Sequence, residues 1–371
     1  MAPPRVLHRQ TFVLPGGHIL PDWYDVIACG ECGFVYADTV ACQGTYDKYY
    51  AEMSKYETNY TAGDTAMFVD RARWISALMD DKNAAIADIG CGNGQLLLEL
   101  QKMGFGNLTA LDPSSRCIRD IQRKGINGMV GSVFDVPPSR TYDGVVLSGV
   151  LEHICDVHGM MTAIKRFICP QGLLFVFVPD ASRYCEYDAV AWDYFNIEHI
   201  NHFEEVSLLN LGFVHGLRMI NFLKTDITFF DSKQPVIFCA YRNEGALIKE
   251  IKNHAQHAIK QYIQQTQQKQ EANRIIDRLV ASQEEIVVWG AGNYTSRLLA
   301  TTALGNCNVL GYVDNDKHKQ GKCMGGRTVH APRVLLDMDG KATILVAVAV
   351  FRAEIIAEIK KLGLQNEVIV V

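Results

Sequence analysis

Three glycines at alternate positions follow an apolar stretch close to residue 90. Residues 84–89 are almost entirely apolar, Gly90, Gly92 and Gly94 come next, and residues 95–98 begin a helical pattern. This order predicts a buried strand, a tight turn and a helix. Glycine lets the backbone turn sharply and approach a ligand, and the free amides at the start of a helix attract an anionic group. The stretch therefore predicts a ligand-binding edge of a parallel α/β sheet.

The next strands of this region end in acidic residues. Residues 108–112 form a second apolar strand that ends in Asp112, and residues 131–135 end a third in Asp135. Residues 142–153 match a fourth strand and the start of the helix after it. A carboxylate at the end of such a strand can bind the hydroxyl groups of a ribose. A single acid is more often a solvated loop carboxylate, whereas acids after successive strands predict a nucleoside-containing cofactor.

The spacing of the glycines separates two kinds of nucleotide-binding protein. The dinucleotide fingerprint G-x-G-x-x-G needs its third glycine one place after Gly94. An acid followed by G-x-G-x-G resembles the class I S-adenosylmethionine-dependent methyltransferases instead. The resemblance implies S-adenosylmethionine as the cofactor and seven contacts to it, namely Asp88, Gly90, Gly92, Gly94, Asp112, Asp135 and Val136. In that family the acid after the second strand binds the ribose, and the acid after the third lies beside the adenine.

A second resemblance lies in residues 192–203, directly after the predicted fifth strand. A substrate would meet the methyl group at this edge of the sheet. Glu198, His199 and Phe203 match the E-H-x-x-x-F signature of the sugar C-methyltransferases. Those enzymes have a tyrosine two places before the glutamate, where this chain has Asn196.

The resemblance to the sugar C-methyltransferases assigns roles to the side chains in this signature. It implies that His199 is a general base and that Glu198 orients it, with His202 as a less favoured substitute. Imidazole suits this role because it titrates near neutral pH. The alternative is that Glu198 and His199 only cap the next helix.

The first 60 residues contain a C-x-x-C turn made by Cys29 and Cys32. Such a turn is half of a zinc knuckle. It resembles the small zinc-binding domain that precedes the methyltransferase domain in sugar C-methyltransferases, but the first cysteine pair of that domain is missing here. Cys42, His8 and His18 are the nearby candidates for the remaining ligands. The alternative is a reduced turn held by packing without metal.

Aromatic residues recur in the helical segment 46–56, just before the cofactor turn. Such a stripe is usually part of a core. In the resembled enzymes this helix closes over the cofactor, and a tyrosine near its end faces the methyl donor. An aromatic face attracts a sulfonium cation, so the resemblance implies that Tyr56 belongs to the site.

A second strand, glycine turn and helix open the last part of the chain at residue 285. Gly290, Gly292 and Asn293 form the turn, and a following strand ends in Asp314. Thr295 stands where a dinucleotide fingerprint has its third glycine. The unit resembles the carboxyl-terminal domain of the sugar C-methyltransferases, which implies that it holds the nucleotide of a nucleotide-sugar. A nicotinamide site and a turn without a ligand are the alternatives.

Composition limits the other classes of function. A net charge of −5 over 371 residues gives no electrostatic footprint for nucleic acid or an anionic membrane. The eleven cysteines are scattered, which argues against a disulfide framework and predicts a reducing cytoplasm. We expect no signal peptide and no membrane span. The sequence does not predict the oligomeric state.

The predicted fold is α/β, with a Rossmann-like class I methyltransferase sheet, a second and smaller Rossmann-like carboxyl-terminal domain, and a small amino-terminal segment. We expect four parts, namely an amino-terminal segment with an aromatic helix (1–60), the methyltransferase domain (61–245), a helical connector (246–283) and the carboxyl-terminal domain (284–371). The sixth strand of the methyltransferase sheet is expected from Gly212 onward, and the connector is expected to be one long helical stretch with a solvated, glutamine-rich middle.

The resemblance implies an enzyme that transfers a methyl group from S-adenosylmethionine to a small molecule, a nucleotide-linked keto-sugar. The alternatives are an O- or N-methyltransferase of another metabolite and a non-catalytic nucleotide-binding or scaffold protein. An oxidoreductase that uses the last domain is a weaker alternative.

Overall fold

The computed structural model describes residues 3–53, 65–137, 140–187, 190–229, 232–245, 251, 256–338 and 340–371. The described chain forms three sheets of four, seven and six strands. Tyr56 and residues 246–250 and 252–255 lie outside the described residues. None of the helices in the described part is long and apolar enough to cross a membrane.

The amino-terminal sheet takes one of its strands from a distant part of the sequence. Three antiparallel strands come from the amino-terminal segment, and the fourth lies within the E-H-x-x-x-F segment; they are β1 (Arg5–Thr11), β2 (Trp23–Ala28), β3 (Val35–Asp38) and β9 (Asn201–His202). Helix α1 (Gln43–Met53) follows β3. Val35 of β3 pairs with His202 of β9, so this sheet is built directly against the predicted acceptor site.

The central sheet has seven strands in the order β10-β11-β8-β7-β4-β5-β6. The strands are β4 (Ile86–Ile89), β5 (Leu108–Asp112), β6 (Asn127–Val130), β7 (Tyr142–Ser148), β8 (Ile168–Pro179), β10 (Leu217–Phe229) and β11 (Ser232–Asn243). Strand β11 runs antiparallel to both of its neighbours, and the other adjacent pairs are parallel. The strand order reverses at β4, and ligands in such sheets bind beyond the carboxyl ends of the strands at this point.

Helices cover both faces of the central sheet. They are α2 (Ala66–Leu78), α3 (Gln95–Lys102), α4 (Ser115–Arg123), α5 (Val157–Lys165) and α6 (Glu205–Val214). Val145 and Leu147 of β7 pack with α5 and α6, whereas Val146 packs with α2, α3 and α4. Successive strand residues point to opposite faces, so a continuously apolar strand is one that is buried on both. The architecture confirms the predicted α/β fold.

The carboxyl-terminal sheet is a smaller unit of the same kind, in the order β14-β15-β13-β12-β16-β17. Its strands are β12 (Ile286–Trp289), β13 (Val309–Val313), β14 (Cys323–Met324), β15 (Arg327–His330), β16 (Thr343–Val346) and β17 (Val368–Val370). All adjacent pairs are parallel except the β14–β15 hairpin. Its helices are α9 (Asn293–Thr301) and α10 (Arg352–Leu362). Short 3₁₀ turns span Leu151–His153, Ala181–Glu186, Ala303–Asn306 and Pro332–Met338.

Two sequence predictions about elements need correction. The sixth strand of the methyltransferase sheet is expected from Gly212 onward, but Gly212 lies inside α6 and the strand starts at Leu217. The cause is close packing, because a Cβ at Gly212 would lie 2.6 Å from the ring of Tyr241. The glycine there permits a helix to lie directly on the sheet rather than marking a strand boundary.

The predicted connector is not one continuous solvated helix. It contains α7 (His257–Gln268) and α8 (Glu271–Ser282), separated by Lys269 in an extended conformation. Tyr262 of α7 packs in the amino-terminal core, and Ile276 of α8 packs in the carboxyl-terminal core. The two helices thus pack their apolar faces in two different cores.

Candidate functional site

The glycine turn after β4 requires the residues that it has. Gly90, Gly92 and Gly94 have φ angles of 72°, 53° and 74°, in the left-handed region that favours glycine. A Cβ at Gly90 would lie 2.7 Å from a methyl group of Val150, and one at Gly94 would lie 2.6 Å from Ile121. The backbone of the turn is therefore packed against its neighbours on one side and leads into α3 on the other.

Asp112 joins this turn to the end of β5. Its Oδ2 accepts a hydrogen bond of 2.8 Å from the amide of Gly92, and its Oδ1 accepts one of 2.8 Å from the amide of Ser114. Each carboxylate oxygen can accept a further hydrogen bond, so the side chain can still bind ribose hydroxyls. The predicted ribose contact of Asp112 stays a prediction.

Asp88 lies beneath the turn and is 1% exposed. Burial and, after it, the negative charge of Asp112 raise the pKa of Asp88, which Arg71 lowers in part, and the net result is about 8. Its Oδ1 has no hydrogen-bond partner within the described part of the chain. Burial and the neighbouring Asp112 thus favour the protonated form of Asp88, and a cation bound nearby would favour its charged form.

The third strand is expected to end in Asp135, but β6 ends at Val130 and Asp135 and Val136 follow in a turn. The amide of Gly131, just after β6, donates to the backbone oxygen of Asp112 at 3.0 Å. The amide of Val136 then donates to the carbonyl of Ser132 at 2.9 Å and closes a turn. Asp135 is exposed. The structure thus brings the predicted adenine contacts next to the predicted ribose contact.

We call residues 190–200 the acceptor loop. The described loop contains no helix or strand, and tyrosine hydroxyls from the amino-terminal part hold it. Tyr24 donates to the carbonyl of Asn196 at 3.0 Å, and Tyr46 donates to the carbonyl of Ile197 at 3.3 Å. Tyr49 donates to the carboxylate of Glu198 at 2.8 Å. The loop is therefore positioned by tertiary contacts.

Asn196 stabilises the loop from within. Its Oδ1 accepts hydrogen bonds of 2.9 Å from the amides of both Glu198 and His199. An asparagine side chain suits this turn because its oxygen can accept from backbone amides a few residues ahead. The departure from the tyrosine of the resembled family thus has a structural role that fixes the backbone of the signature.

A second histidine, which the sequence interpretation does not include, packs against His199. The rings of His153 and His199 meet edge to face with centroids 4.8 Å apart. The Nδ1 of His153 lies 2.9 Å from the carbonyl oxygen of Glu198 and 3.0 Å from the hydroxyl of Tyr50. Because a carbonyl can only accept, we assign the proton of neutral His153 to Nδ1, which leaves the lone pair on Nε2.

Glu152 completes this group. Ligand atoms of Glu152, His153 and His199 all lie within 4.8 Å of one another. Burial raises the pKa of Glu152 to about 7, and its Oε2 has no hydrogen-bond partner among the described residues. The signal for these residues in the sequence is an acid–histidine pair directly after β7, at the carboxyl edge of the sheet.

His202 has a different environment from His199. It is 1% exposed, and its ring packs against Phe195 with centroids 4.8 Å apart, while its Nδ1 lies 3.4 Å from the hydroxyl of Tyr184. Burial lowers the pKa of His202 to about 3. It is neutral and enclosed by aromatic rings, so it is a poor substitute for His199 as a base. Tyr56 lies outside the described residues, and its predicted role stays a prediction.

The Cys29–Cys32 turn forms as expected, but its surroundings do not favour zinc. The amide of Cys29 donates to the carbonyl of Phe34 at 2.8 Å, which closes the turn. Within the described ranges, no third cysteine, histidine or carboxylate comes close enough to form a metal-binding group with the pair. The candidates for the remaining ligands are occupied elsewhere: Cys42 contacts Thr45, His8 stacks on Trp192, and His18 packs against Tyr49. Zinc binding by Cys29 and Cys32 stays a prediction.

The glycine turn of the carboxyl-terminal domain repeats the arrangement of the first. Asp314 follows β13 and accepts hydrogen bonds from the amide of Ala291 at 2.8 Å and from Lys319 at 3.1 Å. A Cβ at Gly290 would lie 2.6 Å from Val348. Asn293 then starts α9. A carboxylate, a cation and a helix start therefore meet at this turn.

Comparison with known proteins places the first site in a recognised kind of domain. Residues 65–221 match the family model of a methyltransferase domain. This match agrees with the fold and with the predicted cofactor. Residues 282–370 match a second model, described as C2185-like, N-terminal.

The similar curated proteins are methyltransferases of different substrates. The ubiquinone biosynthesis O-methyltransferase of Xanthomonas oryzae pv. oryzae is 29% identical over 114 residues, which are 29% of this chain and 47% of that protein. The EEF1A lysine methyltransferase 2 of Homo sapiens is 35% identical over 97 residues, 25% of this chain and 39% of that protein. The chain thus spans less than half the length of these relatives.

Solved structures with a similar fold share little sequence. The magnesium protoporphyrin IX methyltransferase of Synechocystis PCC 6803 with bound SAM has a TM-score of 0.41 at 14% identity and covers 55% of this chain and 99% of its own. The 1,6-didemethyltoxoflavin-N1-methyltransferase of Burkholderia thailandensis has a TM-score of 0.42 at 16% identity and covers 56% of this chain and 94% of its own.

Replacing Asp112 by alanine should weaken the binding of S-adenosylhomocysteine. The loss of two backbone contacts and of the ribose partner should lower the affinity roughly 30-fold or more, which is about 2 kcal/mol. Isothermal calorimetry measures this change. Asp314→Ala removes the matching carboxylate from the second glycine turn and should leave the affinity unchanged. Equal binding by the Asp112 variant and the parent would contradict the assignment.

Proposed function

We propose that the chain transfers a methyl group from S-adenosylmethionine to a nucleotide-linked keto-sugar, with His199 as the general base. The observation that carries the proposal is that one sheet edge holds both the glycine turn with Asp112 and the His153–His199 pair. Gly90, Gly92 and Asp112 would hold the cofactor, which supplies an electrophilic methyl group when bound. Asp112 would bind the ribose of the cofactor, and the backbone of the glycine turn would bind the part of the cofactor next to the ribose.

The chemistry explains why a base is needed. Methylation of a carbon beside a keto group breaks a C–H bond, and the proton goes to the imidazole of His199. The resulting carbon nucleophile forms the new C–C bond, and the electrons of the methyl–sulfur bond stay on sulfur as a neutral thioether. The hydroxyl of Tyr50, next to His153, is a candidate donor to the enolate oxygen.

The carboxyl-terminal turn supports a substrate with a nucleotide handle. Gly290, Gly292 and Asn293 would bring backbone amides to a phosphate, and Lys319 stands at the same turn. Asp314 is placed like Asp112 and would bind a ribose. Under this proposal the protein acts on a small molecule in the cytoplasm, and a nicotinamide at this turn is the competing ligand.

His199→Asn should lower the rate of methyl transfer roughly 100-fold or more, the usual effect of a general base, and should leave the affinity for S-adenosylhomocysteine unchanged. The substrate is first found in a panel of nucleotide-linked keto-sugars. In deuterated water the parent should then exchange the hydrogen at the carbon to be methylated, and the variant should not. Proton NMR of the sugar measures this exchange.

His158→Asn is a suitable control for this experiment. His158 pairs with His215 on the surface, with ring nitrogens 2.9 Å apart, and has no part in the proposed reaction. It should behave like the parent. An active parent enzyme that methylates its substrate without any exchange at carbon would rule out carbon methylation.

Metal-assisted O-methylation is the second candidate, because Glu152, His153 and His199 can hold a divalent cation. Two imidazoles and a carboxylate suit several transition metals and zinc. The nitrogen of His199 would then be a ligand and not a base. The similarity to the O-methyltransferases of ubiquinone biosynthesis is consistent with a hydroxyl acceptor.

A chelator distinguishes the two candidates. If the metal is required, activity towards hydroxylated acceptors should be lost after EDTA treatment and dialysis and should return on addition of the metal, and Glu152→Gln should lower the metal content of the purified protein. Full activity after chelation, with no metal found by elemental analysis, would leave only the metal-free reaction.

A further inference from the structure

Arg297 is a buried cation at the junction of three parts of the chain. It lies on α9 of the carboxyl-terminal domain and is 3% exposed. Its guanidinium donates to the carbonyl of Ala191 at 3.3 Å and to the carbonyl of Phe195, and it lies over the ring of Phe12 at 5.2 Å. Both carbonyls belong to the acceptor loop.

No carboxylate within the described part of the chain forms a salt bridge with Arg297, and its Nε has no hydrogen-bond partner there. Burial lowers the pKa of Arg297. An unpaired charge in the interior is unfavourable, and an apolar side chain of similar size would fill the space at less cost. The stability of α9 alone therefore does not explain why a charged side chain is buried at this position.

The neighbours of Arg297 on α9 show what this helix connects. Thr295 donates to the carbonyl of Gly290 at 2.7 Å, in the glycine turn of its own domain. Ser296 donates to the carbonyl of Val13 at 2.8 Å and accepts from the amide of Val13 at 2.9 Å. Thr295 and Ser296 thus fix the start of α9, and the next residue, Arg297, binds the acceptor loop.

The acceptor loop needs such support. Trp192 has a φ angle of 64°, which is unfavourable for a bulky residue and persists only where surrounding contacts impose it. The two carbonyls that Arg297 binds flank this residue on either side. Charge-assisted hydrogen bonds to carbonyls are stronger than neutral ones, so one guanidinium can hold two points of an irregular segment. Phe195 directly precedes Asn196, whose side chain fixes the amides of Glu198 and His199.

We infer that Arg297 is a positioning residue that fixes the acceptor loop, so that the carboxyl-terminal domain completes the catalytic site of the methyltransferase domain. Its effect on the conformation of the loop is independent of the acceptor. Only its kinetic consequence rests on the proposed function.

Hydrogen exchange tests this role directly. In Arg297→Met, peptides that cover residues 190–200 should exchange about tenfold faster or more, because their local opening becomes easier. Peptides of the glycine turn at residues 86–94 should keep their protection, and S-adenosylhomocysteine should bind as it does to the parent. Arg297→Lys retains a charged donor and should restore part of the protection.

Arg352→Met is the matched control. Arg352 belongs to the same domain and also donates to two backbone carbonyls, those of Val348 and Val371, at 3.1 and 3.0 Å. These carbonyls lie outside the acceptor loop, so the control should leave residues 190–200 protected. Equal exchange of these residues in the parent, Arg297→Met and Arg352→Met would overturn the inference. Faster exchange in both variants would overturn it as well, since the effect would not be specific to Arg297.

Kinetics separate the inference from the proposed function. With an active parent, Arg297→Met should lower kcat while the KM for S-adenosylmethionine stays the same, and Arg297→Lys should recover part of kcat. An unchanged kcat in Arg297→Met would overturn the positioning role. A parent that methylates none of the acceptors would refute the proposed function, and hydrogen exchange would still decide the role of Arg297.

Discussion

The hydrogen bond from the amide of Gly92 to Asp112 is the contact on which the first site depends. It joins the turn after one strand to the end of the next, and it requires a backbone that only glycine adopts easily. The carboxyl-terminal domain has an equivalent hydrogen bond, in which the amide of Ala291 donates to Asp314. In both domains the carboxylate joins the glycine turn to the end of the neighbouring strand.

The second feature of the site is that His199, the proposed base, and Glu198 lie on an irregular loop that distant residues position. The acceptor loop contains no element of its own within the described chain, and it is held by Tyr24, Tyr46 and Tyr49 from the amino-terminal part and by Arg297 from the carboxyl-terminal domain. Functional residues are often found on loops that a rigid scaffold positions. Here the contacts come from the amino-terminal part and from α9 of the carboxyl-terminal domain.

The features of the fold that could be predicted are local ones. The glycine turn, Asp112 and the apolar strands are read from neighbouring residues, and the structure has them at nearly the predicted bounds. Gly212 was misleading because its small size serves contact with Tyr241, which lies far away in the sequence. The break at Lys269 depends in the same way on the two cores that the flanking helices contact.

The proposed catalytic group shows the same limit. His199 can be predicted from a sequence signature. His153, Glu152 and Arg297 can be recognised only from the folded chain, because they are distant in sequence from the acceptor loop that they lie beside. His202 lies in the same short segment of sequence, but its strand pairs with β3 and its ring packs among buried aromatic side chains.

The central claim is that the first glycine turn holds S-adenosylmethionine. The most direct measurement is a pair of calorimetric titrations of the parent protein, one with S-adenosylhomocysteine and one with NADH. The account predicts that S-adenosylhomocysteine binds at one site per chain and that NADH in excess does not displace it. Binding of NADH without binding of S-adenosylhomocysteine would contradict the account and favour an oxidoreductase.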